Sequence, residues 1–214
     1  MKTALVWGAG GDIGRVLLAK LVADGWMVHA VLHRPGDQTL KKLTPYLMDA
    51  DVRVPYEVQM AITGISQESA QVDLSIYAAG DITSLKVAEM APEDWDRILG
   101  ANLTGAYLTT HYSLPLLADD AHLVFIGAIS ERLRLPGLGA YAAAKAGLEA
   151  FVEALSKEER KRRVTLVRPA AVNTSFWEKV PFRMPTNALS PEDVAQRVLE
   201  AHHHGHKGIL DLSE

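Results

Sequence analysis

Tyr141 and Lys145 stand four positions apart in Tyr141-Ala142-Ala143-Ala144-Lys145, the spacing that places two side chains one turn apart on the same helix face. A free phenol titrates near about 10 and exchanges protons poorly at neutral pH. An ammonium beside it favours the phenolate and suits the pair to general acid/base work. Such a spacing is common on helices by chance. Its weight comes from the start of the same chain, where Gly8-Ala9-Gly10-Gly11-Asp12-Ile13-Gly14 follows a short apolar run and opens an amphipathic stretch. Glycines in that context let the backbone turn tightly and approach a pyrophosphate at a helix N-terminus.

The elements that must hold these residues alternate along the chain. Short apolar runs at Ala4–Trp7, Val28–Leu32, Val52–Tyr56, Leu74–Tyr77, Leu123–Ile126, Val164–Val167 and Ile209–Leu212 read as strands. Helical periodicity fits between them. Ile13 through Asp24 shows apolar and polar faces with Gly25 as a stop, Pro92-Glu93-Asp94 opens a long helix, and Ser190-Pro191-Glu192-Asp193 opens another. Alternating βα units imply α/β architecture: a single doubly wound, Rossmann-type domain over 1–214, with about seven parallel strands and helices on both faces. Ligands bind such folds at the carboxyl ends of the strands.

Composition removes several function classes. With 48% hydrophobic and 22% charged residues the chain can bury a full core. The net charge of −4 without blocks of like charge points to neither a nucleic-acid nor a membrane partner. There is no cysteine, so disulfides and thiol catalysis are excluded. No apolar run approaches the ~20 residues that cross a bilayer, and the first apolar stretch is too short for a signal-peptide core. A cytoplasmic location is the expectation. His202-His203-His204-Gly205-His206 lacks partners at metal-ligand spacing and reads as a solvated helix end, so no metal is expected.

The glycine turn and the Tyr-x-x-x-Lys pair together resemble the short-chain dehydrogenase/reductase family over nearly the whole chain. The family's loop is Thr-Gly-x-x-x-Gly-x-Gly; here Gly8 and Gly14 are kept, Trp7 replaces the threonine and Asp12 the middle glycine. A carboxylate there is unfavourable near phosphates unless it turns away, caps local amides or serves as a helix N-cap. Ala79-Gly80 is similar to the end of the family's Asn-Asn-Ala-Gly, Glu57-Val58 to its adenine-contacting Asp-Val, and Pro169 through Val172 to Thr174 to its nicotinamide-holding Pro-Gly-x-x-x-Thr.

The resemblance implies a nicotinamide dinucleotide bound by Gly8, Gly10, Asp12, Ile13, Gly14 and the segments just named. Leu32-His33-Arg34 ends the second strand without an acid, which favours NADP(H) through Arg34 pairing with a 2′-phosphate, NAD(H) being possible. It further implies Tyr141 as acid/base, Lys145 as its modulator and ribose ligand, and Asn102 as holder of a relay water. The substrate is then a small carbonyl/alcohol pair, and the assembly a homodimer or homotetramer. The family's serine, thirteen residues before the tyrosine, is Ala128 here; Ser130 lies two residues further on. Losing one donor to a substrate oxygen typically lowers rate by about 10²–10³. The alternative function is therefore a weakly catalytic dinucleotide-binding sensor or partner-binding module. Phe176, Trp177 and Phe182 are expected along a short, open substrate segment.

Overall fold

A computed structural model describes residues 1–33 and 38–212. Its seven strands are β1 (Thr3–Trp7), β2 (Met27–Leu32), β3 (Leu47–Asp49), β4 (Val72–Tyr77), β5 (Leu117–Ile126), β6 (Arg163–Pro169) and β7 (Gly208–Leu212). All pair in parallel, in the order β3-β2-β1-β4-β5-β6-β7. The winding reverses between β1 and β4, and the crevice of a doubly wound sheet opens above such a switch.

Among the described residues seven α-helices return the chain between strands: α1 (Asp12–Ala23), α2 (Gln38–Lys41), α3 (Pro55–Glu68), α4 (Pro92–Leu99), α5 (Gly105–Ser113), α6 (Gly139–Glu158) and α7 (Pro191–His203). Because strand side chains alternate between faces, β1 feeds two cores. Leu5 and Trp7 pack with α3, α5 and α6 through Val58, Ala106 and Leu148, while Ala4 and Val6 pack with α1 and α7 through Leu17, Leu18 and Val198. Both faces are covered, as parallel sheets require. The α7 start is closed by a reciprocal capping box between Ser190 and Asp193. Among the described residues no helix is long and apolar enough to cross a membrane.

Two expectations are corrected. Val52–Tyr56 is not a strand: the edge strand is the short Leu47–Asp49, and Pro55 is the first residue of α3, where its missing N–H removes nothing from the helix. Nor is the whole histidine run solvated. His202 is 5% exposed and its Nδ1 lies 3.1 Å from His122 Nδ1. His122 Nε2 is 2.9 Å from Thr165 Oγ1, which itself donates to the His206 carbonyl. A hydroxyl already donating must accept from His122, so His122 carries its proton on Nε2 and His202 donates to the bare Nδ1. The Nδ1···Nδ1 contact fails only if both rings are protonated, when two N–H groups would face each other.

Burial, reinforced by Arg163, pushes His122 down to about 3 and His202 down to about 4. His203, His206 and Lys2 add to the repulsion, and Asp73 opposes it weakly at His202. An unfolded histidine protonates near about 6.5, so below that pH the unfolded chain takes up protons that the folded chain refuses. Stability therefore falls as pH drops from about 6.5 toward 4, by on the order of a few kcal/mol. Urea midpoints measured between pH 7.5 and about 5.5, above the main carboxylate range, should decline in the native chain and decline less steeply in His202→Leu, where buried His122 and His29 still resist protonation.

Candidate active site

The glycine turn is built by close packing. Gly8 has φ +80°, and a Cβ there would lie 2.5 Å from the Ala79 nitrogen; one on Gly14 would lie 2.2 Å from the Gly8 carbonyl oxygen. Those two glycines let β1, the β4 end and α1 converge. Gly10 and Gly11 differ: a Cβ on either meets nothing nearer than 3.5 Å, and both are exposed. Their bare backbone leaves open room beside the first turn of α1, a cradle suited to the diphosphate of a dinucleotide.

Asp12, the first residue of α1, does not cap that helix. Its Oδ2 accepts both the backbone N–H and the hydroxyl of Ser175, each at 2.9 Å, so the carboxylate turns away from the cradle and across the crevice. Ser175 opens the short helical turn Ser175–Lys179 that follows β6. At the far end of that turn Lys179 Nζ lies 2.6 Å from Asp81 Oδ1. Asp81 directly follows Ala79-Gly80 and is also bonded by Arg97 of α4 and by the Ile82 N–H. Neither contact is foreseeable from local pattern, since the partners lie 163 and 98 positions apart. The one signal was a carboxylate in a glycine turn.

Tyr141 and Lys145 lie on the buried face of α6, 9% and 5% exposed. Lys145 Nζ sits 5.6 Å from the Tyr141 ring centroid and donates to the Ile126 carbonyl at the end of β5, at 3.0 Å. The phenol packs in an apolar cluster with Ile82, Leu138 and Phe176, and its hydroxyl makes no hydrogen bond among the described residues. The expectation that the ammonium depresses the phenol is not met in the chain by itself. Burial raises Tyr141 above its ordinary value and lowers Lys145 to about 8. At neutral pH the phenol is therefore protonated, a donor rather than a base.

Asn102 is fully buried in a π-helical segment, Gly100–Thr104, inserted between α4 and α5. A single widened turn of this kind is rare and tends to mark functional positions. Its Nδ2 donates to the carbonyls of Asp81 at 2.7 Å and Ile98 at 2.9 Å, while Oδ1 has no partner. That orphaned acceptor faces Gly80, where an added Cβ would come within 2.8 Å of it. A buried acceptor left open beside a glycine is the fit expected of a site that holds a water or ligand hydroxyl.

The remaining predicted positions divide. Ile13 sits in the first turn of α1, Pro169 ends β6, and Val172 and Thr174 follow it, with the Val172 carbonyl accepting Trp177 Nε1 at 2.8 Å. Glu57 and Val58 do not join them. Val58 is fully buried beneath α3, and Glu57 accepts the Asp51 N–H from the first turn of that helix. The pair standing just past β3 is Asp51-Val52; displacing the strand by a few residues displaced the assignment with it. Arg34 lies outside the described residues. Ala128 presents no hydroxyl, and Ser130 does not replace one, because its Oγ is directed at Glu149 Oε2, 3.4 Å away and two turns along α6 from Tyr141.

Known proteins resemble the chain in sequence and in fold. The family model for short chain dehydrogenases matches residues 2–183. An uncharacterized oxidoreductase of Staphylococcus aureus is 29% identical over 213 residues, covering 94% of this chain and 90% of its own. A 3-oxoacyl-(acyl-carrier-protein) reductase of Thermotoga maritima is 26% identical over 220 residues, covering 92% and 89%. Among solved structures, a Serratia marcescens short-chain dehydrogenase/reductase superposes with a TM-score of 0.88 at 19% identity, covering 99% of this chain and 96% of that one. The Thermoplasma acidophilum aldohexose dehydrogenase superposes with 0.85 at 21%, covering 98% and 91%. With its seven-stranded parallel sheet and a family match over most of its length, the chain belongs to the short-chain dehydrogenase family of oxidoreductases.

Proposed function

We propose that the protein is an NADP(H)-dependent oxidoreductase that moves a hydride between nicotinamide and a carbonyl/alcohol pair, with Tyr141 as the acid/base. The observation that carries this reading is the buried Tyr141/Lys145 pair on one helix face at the crevice, with the open Asn102 acceptor behind it. Family membership implies a nicotinamide dinucleotide, which when bound supplies or accepts the hydride. The chain does the rest. Gly8, Gly10, Ile13 and Gly14 receive the diphosphate, with Asp12 contributing only its backbone. Ala79, Gly80, Pro169, Val172 and Thr174 border the nicotinamide half, and Asp51-Val52 takes the adenine edge expected of Glu57-Val58.

In reduction, Tyr141 gives its hydroxyl proton to the developing alkoxide; in oxidation it takes one. Lys145, held by the Ile126 carbonyl, supplies the cation that stabilises the phenolate left behind and bonds the ribose. Asn102 Oδ1 accepts from the water that returns a proton toward Lys145. The absence of an acid in Leu32-His33-Arg34 favours NADP(H). The reductases among the relatives support a carbonyl substrate. Exposed Tyr107, stacked on His111 and edge-on to Phe151, supports assembly into a homodimer or homotetramer through α5 and α6.

Tyr141→Phe should lower kcat/KM on a carbonyl panel by about 10²–10⁴ while NADPH still quenches protein fluorescence. Undiminished turnover in that variant would sink the acid/base role. Arg34→Ala should weaken NADPH about 10–100-fold and leave NADH nearly unchanged, the worth of one charge-assisted bond. Because a depressed lysine loses its cation as pH rises, the rate of reduction should fall through pH about 8.

A second reading, a dinucleotide-binding sensor or partner module with little turnover, is favoured by one observation: neither Ala128 nor Ser130 offers a hydroxyl beside Tyr141. Ala128→Ser separates the two. A gain of about 10²–10³ in rate means that the missing donor limits the native chain. An unchanged, measurable rate removes the main support for the sensor.

A further inference from the structure

The turn Ser175–Lys179 is fastened at both ends by carboxylates from opposite rims of the crevice, Asp12 beside the glycine turn and Asp81 beyond Gly80. Between the two fastenings lies Phe176. Its ring meets the Tyr141 ring edge-on at 6.4 Å between centroids, and its Cζ is 3.8 Å from where a Cβ on Gly80 would stand. Phe176 thus stands between the phenol that would protonate a substrate and the backbone that borders the nicotinamide half. Lys179 lies 5.5 Å over the same ring, so the tether that reaches Asp81 also braces the aromatic.

The tethering charges are consumed internally. Asp81 takes both Arg97 and Lys179, and Asp12 takes Ser175. What faces Tyr141 from this side is apolar: Ile82, Leu138, Phe176 and Phe182 belong to one cluster with it. A substrate carboxylate or phosphate approaching from the strap side would find Arg97 and Lys179 already paired and would have to break a charge-assisted contact to reach them.

We infer that Asp12 and Asp81 hold Ser175–Lys179 as a strap whose Phe176 is a size filter, restricting the site to compact, uncharged, apolar aldehydes and ketones. Asp12 and Asp81 are positioning residues that act through Phe176, and the inference rests on the oxidoreductase reading above. A glycine at position 12 leaves one end of the strap unfastened; the aspartate in this chain closes it. Loosening either tether lets Phe176 swing from Tyr141 and admits bulkier carbonyls.

The test uses the full chain with NADPH and a series of aldehydes and methyl ketones from propanal and butanone to octanone and acetophenone. Native kcat/KM should fall as the carbonyl substituent grows. Phe176→Ala should shift the bulky-to-small ratio tenfold or more toward the bulky members, chiefly through KM, and Lys179→Met should shift it the same way by less. Amide hydrogen exchange across 175–180, measured without nucleotide, should accelerate in both Asp12→Gly and Lys179→Met. An unchanged ratio in Phe176→Ala overturns the filter, and unchanged exchange in both tether variants overturns the strap. A native chain that turns over no carbonyl overturns the filter together with the activity it serves, while the exchange measurement still decides whether the carboxylates hold the strap.

Discussion

An ammonium buried beside a phenol, with one backbone carbonyl as its hydrogen-bonded protein partner, is the constraint on which the rest of the site depends. Lys145 is 5% exposed, and removing a charge from water is unfavourable unless bonds replace its hydration. The Ile126 carbonyl, at the end of β5, supplies one such bond. The position of α6 against β5 and β6 is therefore not free: it must keep Lys145 in reach of the strand end. Its buried face, from Tyr141 and Ala144 through Leu148 and Val152 to Leu155, does this by packing. The energetics of an ordinary helix-on-sheet contact set the geometry of a proton donor.

A comparable constraint operates across the crevice. An α-helix running unbroken from Pro92 to Ser113 would present Asn102 at a different angle; the π turn at Gly100–Thr104 rotates α5 relative to α4 and leaves the amide free to grip Asp81 and Ile98. Two bonds fix the amide plane, and the oxygen that remains is held toward Gly80 with nowhere to turn. A fixed, unsatisfied acceptor is costly in a finished core and useful beside a ligand.

Much of this was legible because it is periodic or local. The central strands, the helix starts at Pro92 and Ser190 and the Tyr141/Lys145 face follow from patterns a few residues long. Leu47–Asp49 was not legible: a three-residue edge strand carries too little alternation to stand out, whereas Val52–Tyr56 looks extended until Pro55 is read as a helix start. The adenine-side assignment failed with it, since it depended on where the strand ended. His202 was misread because its partners, on β5 and β6, are distant in sequence, and a histidine that fills a core looks the same in a string as one in water. The tethers of the strap were hidden for the same reason.

Asp12 and Ala128 are among the departures from the family pattern. Asp12 would place a negative charge where phosphates lie, yet its two bonds to Ser175 aim that charge across the crevice. Asp81 carries a second carboxylate at the opposite rim and commits it to Arg97 and Lys179. Ala128 carries no hydroxyl, and Phe176 packs edge-on against Tyr141. A site with one fewer hydrogen bond to orient its substrate must orient it by shape, and shape is effective only when its walls are fixed. The tethers fix the wall. The loss of the serine and the gain of Asp12 are then two halves of one change, in which packing against a fastened aromatic takes over the orienting role of a hydroxyl.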